Sequence, residues 1–195
     1  MFGKKEDDGL LGSDDEDDDN SVASEAGVDD AGALRLAVEG TRKYLTENPN
    51  ASSADIIEVV TNQQMASALK SHDKVHILVS AGISPAFFKK KEIEKLAPTI
   101  SGITNSNRIM ERHLIASLEA LCIDKPKNFP VMIKQLYDED ALEEEAILEW
   151  ADGGRSDFTL EAVDEETRAM LRGEAEPVVV WLQEADSDEE SSDEE

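Results

Sequence analysis

The sequence lacks most of the residues from which catalytic and metal sites are built. Its 195 residues include one cysteine, Cys122, and three histidines, so it offers neither an internal disulfide framework nor a thiolate zinc site. It contains no phosphate-binding loop, no GxSxG motif and no Cys/His pairing at a catalytic spacing. The histidines His72, His76 and His113 are scattered, and we interpret them as surface or satisfied core imidazoles. This composition predicts a binding protein without a cofactor.

Long hydrophobic runs are absent as well. No apolar stretch approaches the ~20 residues that span a bilayer, and the first residues, MFGKKEDDG, have no signal-peptide core. With a single cysteine, these absences favour a soluble protein in the reducing cytoplasm and no membrane partner.

Positive charge is also scarce. The chain carries 45 acidic and 19 basic side chains, with a formal charge of −26, and residues 135–195 alone hold 23 acidic and 3 basic ones. A surface of this sign repels phosphate groups and attracts lysine-rich proteins. We therefore expect protein partners and no direct contact with nucleic acid. One hypothesis of this kind is an acidic binder of basic proteins, similar to a histone chaperone, that needs only its charged ends.

The middle of the chain is basic by contrast. Residues 70–134 hold 11 basic and 6 acidic side chains. The densest cluster is formed by Lys89, Lys90 and Lys91. It predicts a basic face for an acidic protein partner, and plainly solvated charge explains it equally well.

Apolar residues follow a helical period between two polar ends. Residues 1–30, with DDEDDD at 14–19, and residues 186–195 have too few large apolar side chains to offset the entropy of ordering. We expect a disordered acidic linker over 1–30, a helical domain over 31–185 and a disordered acidic tail over 186–195.

Several amphipathic stripes predict the helices of this domain. Met110, Leu114, Leu118 and Leu121 have the spacing of a central core helix, and Ser53 is the expected N-cap of an earlier helix. Further stripes comprise Phe129, Met132, Ile133, Leu136 and Tyr137, and then Leu142, Ala146, Ile147 and Trp150. Short connections between successive helices predict an all-α, HEAT-like α-solenoid of antiparallel helix pairs. We also expect a monomer.

The segment PVVVWLQEA at 177–185 has the composition of a strand. Three consecutive valines favour a strand, but no other segment offers a strand to pair with, and Pro177 suits the first turn of a helix. We predict a helix in which Val178, Trp181 and Leu182 share a face.

Each of the two tryptophans lies in an acid-rich stretch. Trp150 ends LYDEDALEEEAILEW at 136–150, and Trp181 lies in GEAEPVVVWLQEADSDEE at 173–190. A large aromatic side chain among carboxylates is typical of a surface that binds cationic proteins. Large aromatics on helical stripes are more often buried anchors. The two interpretations are compatible, because a buried indole can hold neighbouring carboxylates in place.

With these two aromatic and acidic boxes at the end of an all-helical region, the chain resembles the C-terminal domain of eukaryotic translation initiation factor five. The resemblance extends from about Asp55 to Glu190 and is carried by residues 109–150 and 174–190. It implies a HEAT-type fold and a role in assembling the translation preinitiation complex. The implied partners are the lysine-rich blocks of the β subunit of initiation factor two, initiation factor three and, through a basic face, initiation factor one.

The resemblance also implies which residues bind. The first box corresponds to Glu143, Glu144, Glu145, Glu149 and Trp150. The second box corresponds to Trp181, Glu184, Asp186, Asp188, Glu189 and Glu190. The basic face is matched to Lys89, Lys90 and Lys91. Phosphorylation by acidophilic kinases maps onto Ser187, Ser191 and Ser192, each of which has an acid three residues downstream.

Members of this family begin with a zinc-containing domain whose N-terminal arginine stimulates GTP hydrolysis by initiation factor two. The four cysteines of that domain do not occur in this chain, so we expect no enzymatic activity from it. Two hypotheses follow from the resemblance: a non-catalytic adaptor, or part of a GTPase activator whose catalytic zinc domain lies outside this chain.

Overall fold

The computed structural model describes residues 26–153 and 157–190, with the side chains of residues 30–153 and 157–185. Within these ranges the chain forms nine helices and no strand. The helices are α1 (Ala26–Glu47), α2 (Ser53–Ala66), α3 (Asp73–Gly82), α4 (Phe87–Lys90), α5 (Glu92–Thr104), α6 (Arg108–Leu121), α7 (Asn128–Asp138), α8 (Glu144–Asp152) and α9 (Glu165–Glu190). None of these described helices is both long enough and apolar enough to cross a bilayer.

The helices lie in two layers. In one layer α1 contacts α3, α3 contacts α6 and α6 contacts α8, while in the other α2 contacts α5, α5 contacts α7 and α7 contacts α9. Consecutive helices pack across the layers, as α1 does with α2 and α8 with α9. Helix pairs stacked in this way form an α-solenoid, in which each pair packs on its neighbours. The predicted all-α fold is therefore confirmed.

Helix α6 forms the middle of the core, as its apolar stripe predicts. The side chain of Asn107 caps the helix by accepting a hydrogen bond from the backbone N–H of Met110 at 3.1 Å. Leu114, Ile115 and Leu118 are fully buried. Burial of side chains of this size contributes about 1.5–3 kcal/mol each before conformational entropy is subtracted. This helix fixes the position of the elements that carry both boxes.

The N-cap of α2 is Ser52, so the prediction of Ser53 is wrong by one residue. Ser52 Oγ accepts a hydrogen bond from the backbone N–H of Asp55 at 3.2 Å, and the Asp55 carboxylate accepts one in return from the backbone N–H of Ser52. This reciprocal pair is a capping box. A capping box needs an acid three residues after the N-cap. Asp55 lies three residues after Ser52 and only two after Ser53, so Ser52 is the N-cap.

Helix α9 includes the valine-rich segment, so the prediction of a helix over 177–185 is confirmed. Pro177 lies in the interior of the helix and not in its first turn, because α9 already begins at Glu165. The carboxylate of Asp164 accepts the backbone N–H of Thr167 at 2.7 Å at the true start of the helix. Pro177 has no N–H to donate to the carbonyl of Gly173, one turn earlier.

Helical structure extends past both expected limits of the domain. Helix α1 begins at Ala26 and α9 continues to Glu190, where we expect limits at residues 31 and 185. The alanines near the start of α1 favour helix, whereas Gly27 and Gly32 oppose it. The predictions for residues 1–25 and 191–195 lie outside the described residues, and the division into linker, domain and tail stays a prediction.

Candidate binding surface

Trp150 of the first box is a buried anchor. Its side chain is 3 % exposed, and its ring lies against that of Phe129 with centroids 5.0 Å apart. The indole Nε1–H donates a hydrogen bond to Glu119 Oε1 at 2.7 Å, so its one polar group is satisfied inside the core. Of the two interpretations of this tryptophan, the structure supports the anchor.

The acceptor of that hydrogen bond belongs to a buried ion pair. Arg168 of α9 donates from Nε to the same Glu119 oxygen at 3.3 Å, and both side chains are almost completely buried. Burial raises the pKa of Glu119, while the bond from Trp150 and the charge of Arg168 act in the opposite direction. One carboxylate of α6 is thus held from α8 and from α9, and it joins three helices.

Sequence reasoning missed this network, although two signals were present. Glu119 follows Leu118 on the buried side of the core helix, where a lone carboxylate needs a cationic partner. Arg168 and Arg172 are two of the three basic residues in residues 135–195. Arg172 Nη2 donates to the backbone oxygens of Trp150, at 3.2 Å, and Ala151, so both arginines stabilise the end of α8.

The carboxylates of the first box are partly neutralised by α6. Arg108 Nη1 donates to Glu149 at 2.7 Å and Arg112 Nη1 to the other Glu149 oxygen at 3.4 Å. Arg108 also lies 3.6 Å from Glu145. Glu143 and Glu145 are exposed and Glu144 is half-buried. Part of the charge that the sequence assigns to binding therefore contacts the protein's own basic middle, and the binding role of this box stays a prediction.

A further acid lies beneath the first box. Glu111 of α6 is 2 % exposed, and its Oε2 atom has no hydrogen-bond partner among the described residues. Burial, followed by the charge of Glu143, raises the pKa of Glu111 above its ordinary value. A hydrogen bond from the backbone of Glu143 and the charge of Arg108 favour the ionised carboxylate, but they do not outweigh the effect of burial.

Replacing Glu111 with glutamine is expected to raise the free energy of unfolding at pH 7 by about 1 kcal/mol, because the amide does not carry the buried charge. A raised pKa favours the protonated folded form, so the contribution of Glu111 to stability is greatest below about 4.5 and falls as the pH rises through the raised pKa. The advantage of E111Q therefore grows from pH 4 to pH 7. Urea unfolding at both pH values measures it. E58Q, on the exposed surface of α2, is the charge-matched control, and an equal change in both variants contradicts the expectation.

Trp181 of the second box is a surface residue. Its side chain is 41 % exposed, whereas its neighbour Leu182 is completely buried and fixes α9 to the core. Lys134 Nζ of α7 lies 4.3 Å from the centroid of the indole ring, and Tyr137 meets the indole edge-on with centroids 5.7 Å apart. The anchor interpretation of this tryptophan is wrong, because Leu182 takes the inward position of this turn.

The acids of the second box follow Trp181 along α9. Glu184 is exposed. The backbone of α9 remains helical through Asp186, Ser187, Asp188, Glu189 and Glu190, whose side chains lie outside the described residues. Ser191 and Ser192 also lie outside them. Binding by these acids and phosphorylation of these serines stay predictions.

Lys89, Lys90 and Lys91 are all exposed, and two of them contact carboxylates of α5. Lys90 Nζ lies 3.7 Å from Glu92 and Lys91 Nζ 2.9 Å from Glu94. Surface pairs of this kind are weak and leave the lysines able to contact a partner. The basic face stays a prediction.

The three histidines lie together in space, although they are scattered in the sequence. The rings of His72 and His113 stack with centroids 3.9 Å apart, and His76 Nδ1 lies 2.7 Å from Ser117 Oγ. Burial lowers the pKa of His113 to about 4, so the His113 ring is neutral at neutral pH. In the described part of the chain, no group of three or more His, Cys, Asp or Glu side chains is arranged to hold a metal ion.

The C-terminal part of the chain is similar to known proteins. Residues 110–192 match the family model described as W2: eIF4-gamma/eIF5/eIF2-epsilon. The chain is 28 % identical to eukaryotic translation initiation factor 5 of Mus musculus over 101 residues, which are 50 % of this chain and 23 % of that protein. It is 41 % identical to the factor of Zea mays over 68 residues, which are 35 % of this chain and 13 % of that one. The matched part of the chain thus spans less than a quarter of the length of these curated relatives.

A solved structure described as the C-terminal domain of translation initiation factor 5 at low pH has the same fold. It superposes with a TM-score of 0.61 over 80 % of this chain and 95 % of that one, at 19 % sequence identity. At this identity the likeness concerns the fold alone. Both boxes lie within the residues that the family model matches.

Proposed function

Because the chain contains a W2 domain like that at the C-terminus of translation initiation factor 5, we propose that it acts as an adaptor in assembling the translation preinitiation complex. Domains of this type are protein-interaction domains and not catalytic ones. The proposed ligands are lysine-rich segments of other initiation factors, foremost those of the β subunit of initiation factor two, and initiation factor three. A cytoplasmic location accompanies this role.

The observation that carries the proposal is the exposed indole of Trp181. It lies on the acid-rich helix α9, and an ammonium group, that of Lys134, already lies over its face. A cation over an aromatic face beside carboxylates is the contact that an incoming lysine would make. The first box has a different part in the proposal: Trp150 is buried, and Glu149 is paired with Arg108 and Arg112. The first box therefore stabilises the fold through Trp150 and contributes negative charge through its exposed acids.

In the proposed mechanism, long-range attraction comes from the net charge and the position of the bound segment is set by Trp181. The net charge of the acidic end accelerates encounter with a cationic segment, and this effect falls with salt because charges are screened beyond ~8 Å at physiological ionic strength. Contact with the Trp181 ring then holds one lysine in place. Lys89, Lys90 and Lys91 are proposed to form a basic face that contacts a separate partner, initiation factor one.

Replacing Trp181 with alanine is expected to weaken binding of a fluorescently labelled oligolysine peptide about tenfold, the size of a partly desolvated cation–π contact. Stability should change little, because the ring is exposed. Fluorescence anisotropy measures the affinity and urea unfolding the stability. M170A is the matched control, since Met170 is also exposed on α9, and it should bind as the wild type does.

The same titrations distinguish the competing hypothesis. A binder that uses only its charged ends would hold oligolysine equally well with and without the Trp181 ring. Equal affinities of W181A and the wild type would therefore refute the proposed contact. So would wild-type association rates that do not change with salt.

A further inference from the structure

The surroundings of Trp181 have the composition of a binding site for one ammonium group. Helix α7 presents Lys134, Tyr137 and Asp138 at positions i, i+3 and i+4, which lie on one face of a helix. That face meets Trp181 of α9. The site therefore combines an aromatic face, a second ring and a carboxylate, the groups by which proteins recognise ammonium ions.

The distances show that this site holds an ammonium group of the protein itself. Lys134 Nζ lies 4.3 Å from the indole centroid and donates hydrogen bonds to both oxygens of Asp138, at 2.8 and 2.9 Å. Tyr137 packs edge-on against the indole at an interplanar angle of 87°. Lys134 contacts the ring and the carboxylate, while Tyr137 fixes the orientation of the ring.

The frame of the site is rigid and its mouth is open. Leu136 of α7 and Leu182 of α9 are completely buried, so both helices are fixed to the core next to the site. The side chain of Lys134 is 44 % exposed and that of Asp138 is 50 % exposed. A flexible lysine side chain can leave such a site through solvent without any backbone movement.

We infer that Trp181 and Asp138 form a site for a lysine of the partner, and that Lys134 is an internal competitor which the incoming lysine displaces. The inference rests on the proposed function for the identity of the partner, and it adds a residue that controls the affinity. While Lys134 fills the site, only the fraction of molecules with the lysine turned away binds, and the apparent affinity falls by that fraction.

The strength of the competitor sets the size of the effect. Lys134 makes an exposed i,i+4 ion pair and an exposed cation–π contact, both of which are weak. Removing it should therefore tighten binding of oligolysine by about three- to tenfold, the factor that follows from contacts of that strength.

The test is K134Q, compared with K127Q as the charge-matched control. Lys127 immediately precedes α7 and is exposed, so its replacement changes the net charge equally and leaves the site occupied. By anisotropy, K134Q should bind oligolysine about three- to tenfold more tightly than K127Q, whose gain should stay below about twofold. In a W181A background the two replacements should have equal effects. Equal affinities of K134Q and K127Q, or weaker binding by K134Q than by the wild type, would overturn the inference.

A second measurement separates failure of this inference from failure of the proposed function. n-Butylammonium chloride represents a single lysine side chain, and the indole N–H resonance of Trp181 reports its arrival, with sodium chloride at equal ionic strength as the reference. The buried N–H of Trp150, bonded to Glu119, serves as an internal control that should not move. A saturable shift in K134Q that is smaller in the wild type supports the competitor even if no peptide binds. No shift in K134Q rejects the site, whatever the peptides do.

Discussion

Trp150→Ala should unfold at markedly lower urea concentration than the wild type, with a loss of about 3–5 kcal/mol in the free energy of unfolding. Two effects act together. The replacement leaves a cavity beside Phe129, because the ring that it removes is packed at a centroid distance of 5.0 Å. It also removes the indole donor to Glu119, so a buried carboxylate loses one of its hydrogen bonds.

A graded series separates the two effects. Trp150→Phe fills most of the volume and lacks the N–H, so it should cost about 1–3 kcal/mol, the penalty of an unsatisfied buried group. Circular dichroism during urea unfolding measures both variants. W181A is the control, because it removes the same side chain from an exposed position. If W150A and W181A lose equal stability, Trp150 is not the anchor that its burial indicates.

This result bears on how binding data are interpreted. If the Trp150→Ala protein fails to bind a lysine-rich peptide, the loss of stability explains the failure. The result then does not show whether Trp150 contacts the peptide. Trp150→Phe, measured at a urea concentration where it is fully folded, is the informative variant. It should bind as the wild type does if Trp150 contributes only to the stability of the fold.

Arg168→Met is the second replacement with a large expected effect, a loss of about 3–5 kcal/mol in the free energy of unfolding at neutral pH. It leaves the almost completely buried Glu119 without the cation that lies 3.3 Å away. Removing one partner of a buried ion pair is far more costly than removing both, because the remaining charge has neither water nor a counter-ion.

The pH dependence gives this prediction a distinctive signature. Burial already raises the pKa of Glu119, and Arg168 is one of the groups that opposes this rise, so the pKa of Glu119 should rise further in Arg168→Met. A raised pKa means that the folded state favours the protonated acid. In the variant, the contribution of Glu119 to stability should therefore be greatest below about 4.5, the ordinary pKa of a glutamate, and should fall as the pH rises through the raised pKa. Its deficit relative to the wild type should be smaller at pH 4.5 than at pH 7.5.

A second replacement should restore part of the loss. Glu119→Gln removes the charge but keeps an oxygen that accepts the indole N–H, so E119Q/R168M should be more stable at pH 7.5 than Arg168→Met alone. Urea unfolding at the two pH values compares the three proteins. Lys43→Met breaks an exposed pair with Glu47 at 3.9 Å and should cause no measurable change. An Arg168→Met protein as stable as that control would show that the buried pair is not needed.

Much of the fold could be predicted from the sequence, because helical periodicity reports which residues face inward. The stripe through Leu114 and Leu118 identifies α6, and the absence of a second strand decides that Val178 and its neighbours form a helix. The residues at which the helices start are less predictable. Ser52 and Ser53 both suit an N-cap, and only the position of Asp55 separates them. Pro177 suits a first turn, but nothing local shows that α9 starts twelve residues earlier.

The site was less predictable than the fold, because the same pattern produces opposite outcomes at the two tryptophans. Each lies on an apolar stripe among acids. Trp150 turns inward because Glu119, 31 residues earlier, offers a buried acceptor for its N–H. Trp181 turns outward because Leu182 fills the core at that turn. Lys134 is missed for the same reason: its nearness to Trp181 depends on how α7 and α9 pack, which neither stripe specifies.

The buried link between Arg168 and Glu119 has a mechanical consequence. Helix α9 ends in a run of acidic residues and is tied near its start, by Arg168, to the middle of the stack. A partner that pulls on the acidic end therefore loads α6 through this buried ion pair, and α7 and α8 through the packing of buried residues such as Leu182. Tension on the acidic end is therefore shared by the whole domain, which should either hold its shape or unfold as a unit.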